Sequence, residues 1–240
     1  MQILNLGSGW RTSPYCVNID WSMYLRAKTS RIGSALAPVV LKGERLERFR
    51  SLDENIVVHD LRRGIPAEDN SVDVVYHSHL LAHIDHDRVP GFFAEIRRVL
   101  VSNGIHRIVV PDLERLAREY LAHLDTCIAG EGSDRNHDGY VAAMIELMVR
   151  KESVGSSQQP RLARLVENAL LGDARRRGET YQWMYDRANL GYSLTEGGFR
   201  SISVVDHVTS AIPDWDAIGL DLGADGGAYK PGSLYVECFK

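Results

Sequence analysis

The chain has 240 residues, 44% of them hydrophobic and 25% charged, a balance that supports a packed core and excludes collagen-like, disordered and disulfide-scaffold classes. A net charge of −4 gives no global basic field of the kind that gathers nucleic acid. The local arginine-rich stretches around Arg45 to Arg50, Arg161 to Arg164 and Arg175 to Arg177 read as solvated helix faces.

Met1 leads directly into Gln2 to Leu6, a short apolar run ended by Gly7, Ser8 and Gly9. That is the pattern of a buried parallel strand entering a tight turn. No basic leader or apolar signal core precedes it, and no stretch reaches the ~18 apolar residues of a spanning helix, so the expected location is cytoplasmic. Val17 to Asp20 is a second strand ending in a carboxylate. Residues 22 to 53 are mixed, with Gly33 and Pro38 as breakers and an amphipathic helix around Leu41 to Leu52.

Asn55 to His59 is a third strand candidate closed by Asp60, and Ser71 to Tyr76, with its β-branched cluster, is a fourth. Between Arg88 and Leu100, apolar residues recur at helical spacing and Asn103-Gly104 ends the helix. Ile105 to Val110 is a fifth strand stopped by Pro111. Strands alternating with helices predict an α/β domain with a mainly parallel sheet covered on both faces.

From Asp112 to about Asp186 the pattern becomes helix after helix, at Leu113 to Leu124, Tyr140 to Val149 and Leu162 to Leu171. This stretch is far longer than a simple crossover needs, and it predicts a helical insertion or lid. A helix from Ala188 to Glu196 then leads to closing strands at Ile202 to Val208 and Ser233 to Phe239. The expected division is a sheet domain of residues 1–111 and 187–240 with an insertion of 112–186.

Several polar residues fall at successive strand ends: Gly7 and Gly9, Asp20, Asp60, and the histidine-rich segment His77 to His83. In an open parallel sheet these ends share one crevice. Glycines there let backbone approach a ligand. Asp20 is suited to accept both hydroxyl protons of a ribose, the alternative being a cap or turn residue. Asp60 is suited to an adenine amino group, or is an exposed loop acid. His77, His79, His83 and His86 crowd together, yet no HExxH pattern or nearby cysteine accompanies them, so no metal is expected. His79 and His83 are the candidate general bases. The three cysteines, Cys16, Cys127 and Cys238, read as free thiols, and Cys127 falls on a helix without an expected neighbour for nucleophilic chemistry.

Leu4 to Gly9, Val17 to Asp20, His59 to Pro66 with Asp69 to Tyr76, Glu95 to Asp112, and Trp183 to Asp186 with Leu194 to Phe199 together resemble the class I S-adenosylmethionine-dependent methyltransferases, specifically the small type 11 branch. The resemblance covers about two thirds of the chain and leaves about Glu119 to Glu179 unplaced. It implies a Rossmann-like sheet with an antiparallel closing strand and S-adenosylmethionine as cofactor. It further implies a cofactor set of Asn5, Gly7, Ser8, Gly9, Asp20, Asp60, Leu61 and His77, with His77 to His83 bordering the reacting methyl. The implied activity is methyl transfer, and an insertion of this size points to a bounded ligand rather than a polymer, so the expected reaction is O- or N-methylation of a small molecule in small-molecule biosynthesis. No nucleic acid or membrane partner is expected, and a homodimer is left open.

The chain departs from the family pattern at Asn5, where an acid is common, at Arg11 in place of the last glycine, and at Ala82 in place of a glutamate. The spacing from Gly9 to Asp20 is also too short for a full helix. These departures support one alternative, an inactive cofactor-binding or scaffold protein of the same fold; a second and less favoured alternative, an NAD-dependent oxidoreductase, needs the third glycine that Arg11 replaces.

Overall fold

The computed structural model describes residues 1–53, 55–129, 134–148 and 180–240. Seven strands form one sheet in the order β3-β2-β1-β4-β5-β7-β6. They are β1 (Ile3–Leu6), β2 (Val17–Asp20), β3 (Val57–Val58), β4 (Val72–Ser78), β5 (Leu100–Pro111), β6 (Arg200–Val205) and β7 (Ser233–Phe239). The strands from β3 across to β5 pair in parallel. β7 runs antiparallel to both β5 and β6, which supplies the expected closing strand.

β1 is buried at all four positions because it is central in the sheet, where both faces are covered and side chains on either side must be apolar or internally satisfied. β4 and β5 shift register between Val72 and Val74, with Val72 opposite Leu100 and Val74 opposite Ile105. The extra residues bulge out at Asn103, whose φ is 64°. Gly104 is required at this bulge: a Cβ there would lie 3.0 Å from the Val101 carbonyl and 3.1 Å from that of Asp73. Asn103-Gly104 therefore shapes a strand, whereas the sequence reading assigned it to the end of a helix.

Eight α-helices are described. They are α1 (Met23–Thr29), α2 (Arg31–Val40), α3 (Glu44–Arg50), α4 (Val89–Val99), α5 (Leu113–Ile128), α6 (Asp134–Met148), α7 (Arg187–Glu196) and α8 (Trp215–Ile218). α4 turns Val89, Phe93, Ile96 and Val99 inward, and α7 adds Leu190 and Leu194. With Leu4, Leu6, Ile19 and Val75 they form the larger core on one face of the sheet. The opposite face carries a smaller core of Tyr76, Val109, Ile212, Trp215, Ile218, Leu220 and Tyr235.

The breakers at Gly33 and Pro38 do not prevent α2, which begins at the Ser30 cap and contains Pro38 within its span. The predicted helix at Leu162 to Leu171 lies outside the described residues. α5 and α6 pack on each other, and α5 has no fully buried residue. The segment from α5 onward leaves and rejoins the sheet at one place, where Asp112 bridges Tyr185 and the Leu113 amide donates to the Tyr185 carbonyl at 2.9 Å. No helix among the described residues is long and apolar enough to cross a membrane.

Candidate active site

Parallel pairing brings the ends of β1, β2, β3 and β4 to one edge of the sheet. Gly7, Asp20, Asp60 and His79 follow those ends. The passage from β1 to β2 takes only Gly7 to Cys16, with no helix, although a parallel crossover normally needs about a dozen residues or more. Side-chain amides hold this short loop in place of helix packing. Asn5, 1% exposed, donates to the Arg11 carbonyl at 2.8 Å and to Asn18 Oδ1 at 2.9 Å. Asn18 in turn donates to the carbonyls of Ser13 and Cys16 and accepts from the Ser13 amide. An aspartate at position 5 has no proton to give to those acceptors, which explains the amide there.

Arg11 has a comparable role. Its guanidinium donates to the carbonyls of Gly219, Leu220 and Leu222, and it stacks on the Tyr229 ring at 4.4 Å. A cation at the carbonyl end of a helix is favourably placed, so Arg11 ties the end of α8 to the β1–β2 loop. Both departures from the family pattern therefore have structural work in this chain.

Gly7 and Gly9 have φ of 65° and 53°, a conformation glycine adopts without strain. Their amides are engaged: Gly7 and Ser8 donate to the Ile19 carbonyl, and Gly9 donates to Asp20 Oδ2 at 2.9 Å. Asp20 Oδ1 accepts from the Ser22 amide at 2.5 Å. The carboxylate thus faces the glycine bend and takes one protein N–H on each oxygen. An ionised carboxylate has about four acceptor positions, so roughly half of its capacity remains. Among the described residues, no atom beyond Gly9 and its chain neighbours lies within 4 Å of where a Gly9 Cβ would stand. Ser8 Oγ is buried with no hydrogen-bond partner among the described residues.

Asp60 is committed differently. Both of its oxygens receive the Arg62 guanidinium at 2.8 Å, and this hydrogen-bonded pairing holds its carboxyl below the usual range. Leu61 packs at the margin of the larger core. The His77 ring is fully buried, with its Nε2 3.0 Å from that of His106 and its ring against Phe92. Burial pushes His77 down to about 3. It lies inside the sheet packing and does not face the crevice.

His79 takes a φ of 57°, uncommon for a residue with a Cβ. Its Nε2 lies 2.8 Å from Ser233 Oγ and its Nδ1 3.4 Å from the Tyr181 hydroxyl. Burial, with Lys230 and His83 nearby, pushes it down to about 3. His83 Nδ1 lies 3.0 Å from the Thr180 carbonyl, which only accepts, so Nδ1 carries a proton. Tyr181 packs on His83 at 4.8 Å, and Trp183 stacks on His86 at 4.2 Å. The Ala82 carbonyl accepts the Gln182 amide at 2.7 Å, which seats the returning chain over the histidine segment.

Two features escaped the sequence reading. Trp21 follows Asp20, is 37% exposed, and carries Arg26 over its ring at 4.5 Å; its position directly after the strand-end carboxylate was the available signal. Cys127, expected to lack a neighbour, has its Sγ 3.5 Å from His123 Nδ1. The pair is spaced i, i+4 on α5, a spacing legible in the sequence.

Residues 17–108 match the family model of the methyltransferase domain, a stretch running from β2 into β5. Among solved structures, the chain is similar to a SAM-dependent methyltransferase from Archaeoglobus fulgidus (11% identity, TM-score 0.44, 100% of this chain and 86% of that one). It is also similar to an S-adenosylmethionine-dependent methyltransferase from Mesorhizobium loti (14% identity, TM-score 0.42, 100% and 90%) and to the DhpI–SAH complex (17% identity, TM-score 0.45, 99% and 75%). No curated protein matched the sequence. Over residues 17–108 the chain therefore matches a methyltransferase domain, and its strand order is that of a Rossmann-like methyltransferase fold.

Proposed function

We propose that this enzyme methylates an oxygen or nitrogen of a small acceptor, with the cofactor seated against Gly7, Ser8, Gly9 and Asp20. The observation that carries this reading is the Asp20 carboxylate, turned toward the glycine bend with acceptor capacity left over, beside the open space at Gly9. The residues fit the cofactor: Asp20 holds the ribose hydroxyls and Trp21 offers a flat apolar face to the adenine. Asn5 supports the loop from below. Asp60 and Leu61 border the adenine side, with Asp60 fixing Arg62 there.

When bound, the cofactor supplies a methyl group already activated by its sulfonium. The protein's part is then to align the acceptor in line with that carbon and exclude water. His83, held through Nδ1 by the Thr180 carbonyl, is the candidate general base for the acceptor's proton. His79, held far below its ordinary range by burial, is a positioning residue between Ser233 and Tyr181. The insertion of residues 112–186 bounds the acceptor pocket.

Calorimetric titration with S-adenosylhomocysteine tests the seat. Hydrogen bonds to a charged partner contribute about 1.5–3 kcal/mol, so Asp20→Ala is expected to weaken binding by roughly tenfold or more. Equal affinity in the wild type and the variant overturns the assignment. Incubation with methyl-labelled cofactor and a panel of phenols, amines and carboxylates tests the acceptor class. Label appearing only in added protein or RNA would replace the small-molecule reading.

A further inference from the structure

We propose that His123, Cys127 and His137 form a zinc site that fastens α5 to α6. His123 and Cys127 share one face of α5 at i, i+4 spacing, and His137 comes from α6. Their donor atoms all lie within 4.8 Å of one another, and all three residues are half-buried. His123 Nδ1 stands 3.2 Å from His137 Nδ1 and 3.5 Å from Cys127 Sγ. A tetrahedral zinc ion with Zn–N of about 2.0–2.1 Å and Zn–S of about 2.3 Å separates its nitrogens by about 3.3 Å and nitrogen from sulfur by about 3.6 Å. Two edges of that coordination triangle are already in place.

Hydrogen bonding alone does not account for the convergence. The Nδ1 of a neutral imidazole carries either one proton or one lone pair, so His123 Nδ1 cannot satisfy both the thiol and the second imidazole. A cation at the centre accepts from all three donors at once. Aromatic neighbours hold the ligating rings, with Tyr140 stacked on His123 at 4.6 Å and Tyr120 against His137 at 5.1 Å.

Two imidazoles and a thiolate are a borderline-soft set that selects zinc over the oxygen-seeking magnesium and calcium. Three protein ligands leave the fourth position to water. Binding converts the Cys127 thiol to a thiolate and releases its proton to solvent. The site is independent of the cofactor seat, and its consequence is mechanical: the ion joins two helices that otherwise depend on packing against each other.

The test uses the full-length protein, dialysed against zinc-containing buffer and then against metal-free buffer. Elemental analysis is expected to find one zinc per chain. Replacement by cobalt should produce visible ligand-field bands and a near-ultraviolet thiolate-to-metal charge-transfer band. Cys127→Ser should abolish the charge-transfer band, and His137→Gln should weaken zinc affinity by at least tenfold, with circular dichroism reporting whether each variant stays folded. His137→Cys should retain zinc and strengthen the charge-transfer band, which separates ligation from a merely structural role. Zinc below roughly a tenth per chain in the wild type, unchanged affinity in His137→Gln, or loss of zinc in a folded His137→Cys each overturns the proposal.

Discussion

Arg107 shows how much a single side chain can organise. It is fully buried in β5 and donates to Asp221 at 2.8 Å and Glu237 at 2.6 Å, with further bonds to the carbonyls of Asp206 and Thr209. Tyr76 donates to the other oxygen of Asp221 at 2.6 Å, and Trp215 stacks on the guanidinium at 4.6 Å. Burial still pushes the Asp221 carboxyl above its ordinary range, because Arg107 and Tyr76 only partly offset the lost solvation. Removing the cation would leave two buried carboxylates uncompensated, so Arg107→Ala is expected to destabilise the fold by about 3–5 kcal/mol. A urea midpoint within a few tenths of molar of the wild type's would contradict that. None of this network was read from the sequence, where a charged residue among Ile105, Val109 and Val110 gave no sign of which distant acids would meet it.

The elements were legible in proportion to how far local pattern decides them. β1, β2, β4 and β7 are nearly continuous buried runs, and α4 and α7 bury residues at helical spacing, and all six fall close to where the apolar pattern puts them. α1 and α2 were not foreseen, because α1 is only seven residues long and α2 contains Gly33 and Pro38, while their starts rest on serine caps at Ser22 and Ser30. At this scale the paired strands β4 and β5 carry a pH liability. Burial holds His77, His79 and His106 below their unfolded values, so the unfolded chain binds more protons than the native one at mildly acidic pH. Their stability contribution is complete above about pH 6.5 and is lost progressively as pH falls below it, toward about 3 for His77 and His79, at up to about 1.4 kcal/mol per pH unit for each residue. The denaturation midpoint should therefore fall clearly between pH 7.5 and pH 5. His106→Leu should flatten the dependence, and superimposable curves at the two pH values would refute it.

At the scale of the whole molecule, the sheet edge and the residues at its strand ends were visible in advance because fold topology brings strand ends together whatever lies between them. Asp20 and the glycine bend could be picked out for that reason. The support of the bend by Asn5, Asn18 and Arg11 could not, since it depends on partners up to the 219–222 turn. The sheet domain and the 112–186 insertion should separate functionally. A chain in which a short linker replaces residues 113–184 is expected to bind S-adenosylhomocysteine with near-native affinity while losing methyl transfer. Loss of both activities in a folded product would show that the insertion is part of the cofactor seat.

The bridge between Asp112 and Tyr185 places the two stalks of that long excursion side by side, with Arg187 gripping Glu114 across the same neck. A loop whose feet already touch can gain or shed residues with little effect on the platform beneath, because the entropy of closing it grows only with the logarithm of its length. The neck therefore acts as a socket, a pair of feet whose spacing does not depend on how many residues are carried between them.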